Sequence, residues 1–301
     1  MQQVIQELVS ARVGEVLLDE MLAEHTTWKI GGPADVMVIP DGTRELAETI
    51  RILHRHGQSF TTIGRGSNML VTDKGVRGVV VKLGKDMGHI RFDGGTVTAG
   101  GAVSLITLSV KAAKEGLTGL EFAGGIPGTV GGAVYMNAGA HGSDMSRILK
   151  EAEIVLETGE TVRLRNEELE FRYRHSWLHG RAAIVTEAVL ALEHGDRKKI
   201  AATSAANKER RILTQPLSAA CAGSTFRNPD NHYAAKLIEE AGLKGYRVGG
   251  AEVSRQHANF IINTGGATAN DVLHLMDHIH STVYTTFGIS LTPEVLVVGE
   301  R

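Results

Sequence analysis

The clearest candidate for chemistry is a short glycine loop that follows a predicted strand at residues 60–63. Its residues are Ile63, Gly64, Arg65, Gly66, Ser67 and Asn68. Successive backbone N–H groups in a glycine loop form a nest for an anion, and the side chains of Ser67 and Asn68 add donors. A pyrophosphate fits this pattern, and a plain glycine turn after a strand is the alternative.

A second glycine-rich segment covers residues 122–132 and contains Pro127. Pro127 imposes a turn, so we expect no regular helix to open after it and no regular element within residues 123–142. The segment also has no acidic residue about 20 positions on in a βαβ unit, which argues against a dinucleotide-binding fingerprint. Backbone with few side chains suits contact with a flat, extended ligand, and a structural loop is the alternative.

Two arginines, Arg172 and Arg174, lie beside Phe171 and Tyr173 in a chain of near-neutral charge. A guanidinium can bind a carboxylate or a phosphate through two parallel hydrogen bonds. The pattern indicates an anion site, and a solvated surface pair is the alternative.

Two further residues could move or stabilise a proton. Ser224 follows a glycine in a strand-like setting, but no G-x-S-x-G pattern surrounds it, so the serine-hydrolase geometry is missing. Its hydroxyl can still donate a proton if a polarising group assists it. Glu294 stands where an apolar final strand begins, and a carboxylate there is either partly buried and functional or simply solvated.

The composition excludes several classes of function. The formal net charge of −2 gives no basic surface for a nucleic acid, and one cysteine, Cys221, allows no internal disulfide. Residues 1–17 lack the pattern of a secretory signal, and no apolar run approaches the ~20 residues that span a bilayer. His274 and His278 have the spacing of a metal pair, but no third ligand is evident, so we expect no metal. We expect a soluble, cytoplasmic chain.

The order of predicted elements is βαβ, then a strand-rich middle, then an αβ tail, which indicates an α+β protein of two or three lobes. The apolar spacing from Val4 to Leu22 predicts an N-terminal helix. Further predicted helices cover residues 43–56, 103–115, 194–211, 233–241 and 269–287. The predicted strands cover residues 34–40, 60–63, 78–83, 89–92, 96–99, 151–156, 161–165, 183–192 and 294–298. Thr268 and Asp271 form a predicted capping box for the last helix, and Gly288 its stop.

Several of these segments, in this order, resemble the UDP-N-acetylenolpyruvoylglucosamine reductase family. The matching motifs are Thr26-Thr27-Trp28-Lys29-Ile30-Gly31-Gly32-Pro33-Ala34, the loop 64–70, the segment 124–140 ending in Asn137-Ala138-Gly139-Ala140, Tyr173-Arg174-x-Ser176, Gly223-Ser224-x-Phe226-x-Asn228-Pro229, Ala241-Gly242-Leu243-Lys244-Gly245 and Pro293-Glu294-Val295. They extend over roughly residues 20 to 298.

The resemblance implies a vanillyl-alcohol-oxidase-type FAD-binding fold of two lobes, with a third α+β lobe for the substrate. We expect the lobes at residues 1–83, 84–196 and 197–301, with the last strand able to return to the first lobe. The resemblance also implies FAD held without a covalent bond. Its pyrophosphate would lie in the loop from Ile63 to Asn68, and further cofactor-binding residues would be Gly124, Gly125, Ile126, Gly128, Thr129, Gly131, Asn137 and Gly139.

The reaction that the resemblance implies is the NADPH-dependent reduction of UDP-N-acetylglucosamine enolpyruvate, a step in peptidoglycan precursor synthesis. Arg174 and Glu294 would polarise the substrate, Glu294 as a protonated carboxyl or through a hydrogen-bond network, and Ser224 would protonate the α-carbon. Substrate-binding candidates are Tyr173, Arg227, Asn228 and Gln256. No nucleic-acid or membrane partner is expected, and we expect a monomer or weak oligomer.

Two alternatives remain open at this point: an FAD-dependent sugar or alcohol oxidase of the same fold, and a non-catalytic nucleotide-sugar binding protein. The chain also departs from part of the family. Some members carry a tyrosine-bearing insert that folds over the substrate, whereas here only 50 positions separate Arg174 from Ser224 and none between them is tyrosine. This pattern is typical of the shorter subgroup and leaves open what covers the nucleotide.

Overall fold

The computed structural model describes residues 1–301. The helices are α1 (Gln2–Ser10), α2 (Thr43–Arg55), α3 (Leu105–Glu115), α4 (Val130–Met136), α5 (Arg197–Thr214), α6 (Ala234–Glu240) and α7 (Ala269–Phe287). The strands are β1 (Gly14–Met21), β2 (Pro33–Pro40), β3 (Phe60–Thr62), β4 (Met69–Val71), β5 (Val76–Val81), β6 (Ile90–Asp93), β7 (Thr96–Gly100), β8 (Leu117–Thr118), β9 (Gly139–Ala140), β10 (Ser143–Asp144), β11 (Leu149–Val155), β12 (Thr161–Arg165), β13 (Ile184–Ala191), β14 (Glu193–His194), β15 (Arg247–Val248), β16 (Ala251–Val253), β17 (Ile261–Asn263) and β18 (Leu296–Val298).

The first of two compact units comprises residues 1–18, 36–64 and 78–210. Its largest sheet has the strand order β12-β11-β13-β7-β6, and every neighbouring pair is antiparallel. Helices α3 and α4 share one apolar core with this sheet. A smaller sheet has the order β1-β2-β5-β3, in which β3 and β5 are parallel.

The predicted N-terminal helix is correct only for its first part. Val4 and Leu8 of α1 are buried in a core shared with Leu46 and Ile50 of α2. Beyond residue 10 the prediction is wrong, because the chain forms strand β1. Gly14 adopts a φ of +130°, and a Cβ there would lie 2.2 Å from the carbonyl oxygen of Ile39. Close approach of two backbones therefore overrides the helical spacing of the apolar residues.

The prediction that no helix opens after Pro127 is also wrong, because α4 begins at Val130. The hydroxyl of Thr129 accepts a hydrogen bond from the N–H of Gly132 at 3.2 Å and caps the helix. Val130 and Val134, one turn apart, are both fully buried. Capping and tertiary burial compensate for the two glycines in the first turn, which weaken intrinsic helix propensity.

The second unit comprises residues 19–35, 65–77 and 211–301. It contains the sheet β15-β16-β17 and the parallel pair β4 and β18. Helix α7 has the predicted bounds, and its capping box of Thr268 and Asp271 is confirmed. Gly288 ends the helix with a φ of +71°, as predicted. No helix in the structure is both long enough and apolar enough to cross a membrane.

The division into three lobes stays a prediction. Residues 19–35 and 65–77 lie in the predicted first lobe, yet they pack within the same compact unit as residues 211–301. The last strand, β18, pairs with β4, which lies inside the predicted first lobe.

The core of the second unit is centred on Trp28, whose side chain is fully buried. Its indole N–H donates a hydrogen bond to the carbonyl oxygen of Ile261 at 2.8 Å. The amide nitrogen of Asn263 donates to the carbonyl oxygen of Trp28 at 3.0 Å. Trp28 is thereby fixed to strand β17 through both its side chain and its backbone.

Substitution Trp28→Phe should lower the free energy of unfolding by about 2 kcal/mol, because it removes a buried hydrogen bond and leaves a void. Urea denaturation measures the change. The control is Trp177→Phe, at a half-buried residue that stacks with Arg181, and it should cost less. Equal losses for the two variants would contradict the role given to Trp28.

Candidate functional site

The two glycine segments predicted to bind one cofactor meet within the first unit. Ile63 is buried, and its N–H donates to the carbonyl oxygen of Val81 at 2.9 Å. At Gly64 a Cβ would lie 2.9 Å from the hydroxyl oxygen of Thr129, the N-cap of α4. A larger residue at position 64 would therefore press on the cap of α4.

The second glycine segment is held by residues 101–105. Gly128 accepts from the N–H of Leu105 at 3.0 Å, and the N–H of Val130 donates to the carbonyl of Val103 at 2.8 Å. The N–H of Gly131 donates to the carbonyl of Gly101 at 2.9 Å, and a Cβ on Gly131 would lie 3.0 Å from the carbonyl oxygen of Val185. From the sequence, residues 101–104 were assigned no part in the site, although the adjacent glycine pair 100–101 is a signal for close backbone contact.

Residues 124–129 of the first unit form a surface that suits a flat ring system. Gly124, Gly125, Gly128 and Thr129 are partly exposed, although this stretch is flanked by buried residues at both ends. Three of these four residues are glycines, so little side chain covers the backbone there. Such a surface can lie against the isoalloxazine ring of a flavin, and the contact of these residues with one stays a prediction.

The rest of the loop, from Arg65 to Asn68, belongs to the second unit. Gly66 has a φ of +59°, and a Cβ there would lie 2.4 Å from the carbonyl oxygen of His25. The N–H of Thr27 donates to the carbonyl of Gly66 at 3.4 Å, and the hydroxyl of Thr27 donates to the carbonyl of Cys221 at 2.7 Å. The segment around Thr27 thus connects the glycine loop to the chain that leads into Ser224.

Asn68 joins the glycine loop to Glu294. Its amide nitrogen donates to the carbonyl oxygen of Glu294 at 3.2 Å, and its own carbonyl accepts from the N–H of Leu296 at 3.0 Å. Asn68 is one of the predicted cofactor residues, and in the structure it also fixes the backbone of a predicted catalytic residue.

The segments that carry Ser224 and Glu294 run side by side in opposite directions. The N–H of Glu294 donates to the carbonyl of Thr225 at 2.8 Å, and the N–H of Arg227 donates to the carbonyl of Thr292 at 2.9 Å. Both Ser224 and Glu294 are half-buried. Two predicted catalytic residues that are distant in sequence are thereby brought into neighbouring extended segments.

Arg174 lies in the first unit, in a tight turn. Arg172 and His175 exchange backbone hydrogen bonds at 3.0 and 3.1 Å, so residues 173 and 174 form its tip. Arg174 has a φ of +53°, and its guanidinium donates to the carbonyl oxygen of Gly139 at 3.2 Å. The guanidinium carbon lies 5.0 Å from the ring centre of Tyr173, which restricts its orientation.

Asn137 holds this turn in place through side-chain hydrogen bonds. It is buried, its amide nitrogen donates to the carbonyl of Arg172 at 3.1 Å, and its amide oxygen accepts from the N–H of Ser146 at 3.0 Å. Ser176 is buried as well and donates to the carbonyl of Tyr135 at 2.6 Å. The predicted contact of Asn137 with the cofactor stays a prediction; its observed contacts hold the arginine turn.

The predicted substrate residues have different surroundings. Asn228 accepts from the N–H of Ala234 through its amide oxygen at 3.0 Å, and Gln256 donates to the carbonyl of Ile212 at 2.9 Å. The Nε of Arg227 is buried and has no hydrogen-bond partner. Of these side chains, only that of Arg227 has a buried donor still to be satisfied.

The single cysteine can be excluded as a nucleophile. Burial raises the pKa of the Cys221 thiol above its ordinary value, and the Gly223 backbone and Arg211 offset only part of that effect. The thiol stays protonated at neutral pH, and a thiol attacks only as the thiolate.

Of the two histidines of α7 with the spacing of a metal pair, His278 stacks its ring on Tyr246, with 4.2 Å between ring centres.

Comparison with known proteins assigns a class to the fold. Residues 34–165 match a family model described as an FAD binding domain. An alkyldihydroxyacetonephosphate synthase structure aligns with a TM-score of 0.50 at 19% identity, over 64% of this chain and 41% of its own, and shows a shared fold alone. These matches define an FAD-binding protein with a vanillyl-alcohol-oxidase-type fold of the α+β class.

The family follows from closer relatives. A UDP-N-acetylenolpyruvoylglucosamine reductase of Bacillus licheniformis is 53% identical over 100% of both chains, and one of Bacillus subtilis is 51% identical over 99% of both. The crystal structure of the reductase from Thermus caldophilus, 36% identical, aligns with a TM-score of 0.81 over 94% of this chain and 98% of its own. Residues 215–298 match the model of the family's C-terminal domain. The chain belongs to the UDP-N-acetylenolpyruvoylglucosamine reductase family.

Substitution Gly66→Ala should weaken FAD binding at least about tenfold, equivalent to ~1.4 kcal/mol, because the backbone of the loop must move away from His25. Titration of the apoprotein with FAD measures the effect. The matched control is Gly57→Ala, at a glycine with nearly the same φ of +60° and no atom near its Cβ position. Comparable weakening in both variants would contradict a specific role of Gly66.

Proposed function

We propose that the protein reduces the enolpyruvyl group of UDP-N-acetylglucosamine enolpyruvate to UDP-N-acetylmuramate, with FAD as its cofactor and NADPH as reductant. The observation that carries this proposal is the pairing of the Ser224 and Glu294 segments within the C-terminal domain of a reductase family. The backbone segments that bear the proposed proton donor and the proposed carboxyl group therefore lie next to each other.

The reaction adds one hydride and one proton across a carbon–carbon double bond. Hydride from NADPH reaches the methylene carbon, a proton reaches the α-carbon that bears the carboxylate, and NADP⁺ leaves. Bound FAD supplies the hydride transfer between NADPH and the substrate. The residues of the chain must stabilise the negative charge that develops on the carboxylate and the α-carbon, and they must deliver the proton.

We assign the stabilisation of that charge to Arg174 and Glu294. A guanidinium binds a carboxylate with two parallel hydrogen bonds, and the stacked Tyr173 limits the directions that the Arg174 side chain can take. Glu294 assists an anion only as a protonated carboxyl or through a hydrogen-bond network, and Asn68 holds its backbone.

We assign the proton to the Ser224 hydroxyl. The donation leaves an alkoxide that must be stabilised at once and reprotonated from solvent, so a polarising neighbour is required. Glu294 is the titratable group whose backbone is paired next to Ser224. Tyr173, Arg227, Asn228 and Gln256 are proposed to bind the substrate, and the buried unsatisfied Nε of Arg227 favours an anionic group beside it.

The setting of the reaction is part of the proposal. One cysteine allows no internal disulfide, as is usual in a reducing compartment, and we propose a cytoplasmic location and a monomer or weak oligomer.

The function is tested by the visible absorbance of the purified holoenzyme. NADPH should bleach the flavin under anaerobic conditions, and the enolpyruvyl substrate should restore the colour with formation of one product molecule per flavin. Reoxidation of the reduced flavin by oxygen but not by the enolpyruvyl substrate would indicate an oxidase. A colourless protein that takes up no FAD would indicate a binding protein. Either result overturns the proposal.

Substitution Ser224→Ala should leave bleaching by NADPH intact and slow reoxidation by the substrate by about 10²-fold or more, the usual contribution of a general acid. Stopped-flow absorbance separates the two half-reactions. The control is Ser218→Ala, at an exposed serine in the same segment, which should change neither rate. Unchanged reoxidation in Ser224→Ala would remove Ser224 from this role.

A further inference from the structure

We propose that Asn259 is a positioning residue that fixes the peptide next to Ser224 and so aims the serine hydroxyl for proton transfer. The inference rests on the proposed function, because it assumes that Ser224 delivers the proton. Asn259 lies in the turn between β16 and β17, outside every motif that the sequence interpretation singled out.

The amide side chain of Asn259 binds both backbone polar groups of one residue, Phe226. Its oxygen accepts from the N–H of Phe226 at 2.9 Å, and its nitrogen donates to the carbonyl of Phe226 at 2.8 Å. The backbone carbonyl of Asn259 also accepts from the N–H of Thr225 at 2.8 Å. Three hydrogen bonds from one residue therefore hold the two residues that follow Ser224.

These bonds are shielded from water. Asn259 is 4% exposed, Thr225 is fully buried and Phe226 is 2% exposed. A buried amide must satisfy its polar atoms within the protein, so the side chain has little freedom to turn. The hydrogen bonds to Phe226 therefore hold the Asn259 amide in one orientation.

Thr225 is also held from the opposite side, by the segment that precedes β18. Its carbonyl accepts from the N–H of Glu294, while its N–H donates to the carbonyl of Asn259. The backbone of Thr225 thus lies between Asn259 and the segment that bears Glu294. Upstream, the Thr27 hydroxyl fixes the carbonyl of Cys221. Movement of Asn259 would therefore alter the relation of Ser224 to Glu294.

Asn259 is itself held in place by its own turn. Its N–H donates to Nδ1 of His257 at 3.3 Å, and the N–H of His257 donates to the hydroxyl of Ser254 at 3.3 Å. Burial lowers the pKa of His257 and Lys244 acts in the same direction, whereas the His257 backbone and Glu239 oppose it. An imidazole with its proton on Nε2 accepts the hydrogen bond from Asn259 at Nδ1.

The test uses Asn259→Asp in the holoenzyme. Aspartate has the same shape and keeps the acceptor for the N–H of Phe226, but it loses the donor to the Phe226 carbonyl. Reoxidation of the reduced flavin by the enolpyruvyl substrate should slow about 10- to 100-fold, since small misplacement of a reacting group has effects of this size. Bleaching by NADPH should be unchanged, and it reports folding and FAD binding in the same sample.

A matched control is available in Asn263→Asp. Asn263 also makes three side-chain hydrogen bonds to backbone, to Trp28, Gly265 and Ala267, but none to the Ser224 segment. It should lower stability without a selective loss of reoxidation. If Asn259→Asp does not fold, Asn259→Gln retains the amide and displaces it by one methylene, and it should show the same selective loss.

A double-mutant cycle distinguishes positioning from general loosening. Asn259→Asp should add no further slowing in the Ser224→Ala background, because its effect acts through the serine. Multiplicative slowing in that background would overturn the inference, as would reoxidation by Asn259→Asp that matches the wild type or the Asn263→Asp control. A wild-type enzyme whose reduced flavin is not reoxidised by the substrate overturns the proposed function itself, before any variant is compared.

Discussion

The hydrogen bond from the N–H of Glu294 to the carbonyl of Thr225 is the constraint on which the arrangement of the proposed catalytic residues Ser224 and Glu294 depends. A single bond of this kind contributes only about 1 kcal/mol. Its position is therefore set by its neighbours. Asn68 holds the Glu294 side, Asn259 holds the Thr225 side, and both are tied to elements outside the pair. A weak interaction is held in one geometry because the residues on both sides of it make further hydrogen bonds.

Glycine has three distinct uses in this chain. At Gly66 a side chain would strike backbone atoms of another segment, and at Gly131 it would press closely on them, so close approach of the backbone favours glycine at both positions. At Gly57 the backbone is equally left-handed, but the space around it is open and glycine only eases a turn. The glycines proposed to face the cofactor, such as Gly125, form a third group, since a side chain there would cover the surface proposed to contact a flat ring. Clustering in the sequence does not separate these uses.

Local patterns in the sequence predicted α2 and α7 well, because their apolar spacing and end signals lie within the helices themselves. The strand at β1 and the short helix α4 were not predicted, because backbone approach at Gly14 and capping by Thr129 depend on distant segments. The residue types proposed for the site came from motifs, which point to Arg174, Ser224 and Glu294. Their supporting roles did not come from motifs. Asn137 was predicted only as a cofactor-binding residue and Asn259 lies outside the motifs, because both side chains bind backbone atoms, which any sequence supplies.

The pairing of β18 with β4 has a consequence for biosynthesis. Strand β4 is made early, yet its parallel partner comprises residues 296–298 of a chain of 301. The segments 19–35 and 65–77 likewise find their core among residues 211–301. On the ribosome these early segments keep their apolar surface uncovered until residues 211–301 have been made, whereas the residues of the first unit are all made by position 210. Such a chain depends on protection from aggregation during synthesis more than a protein whose units follow one another in sequence.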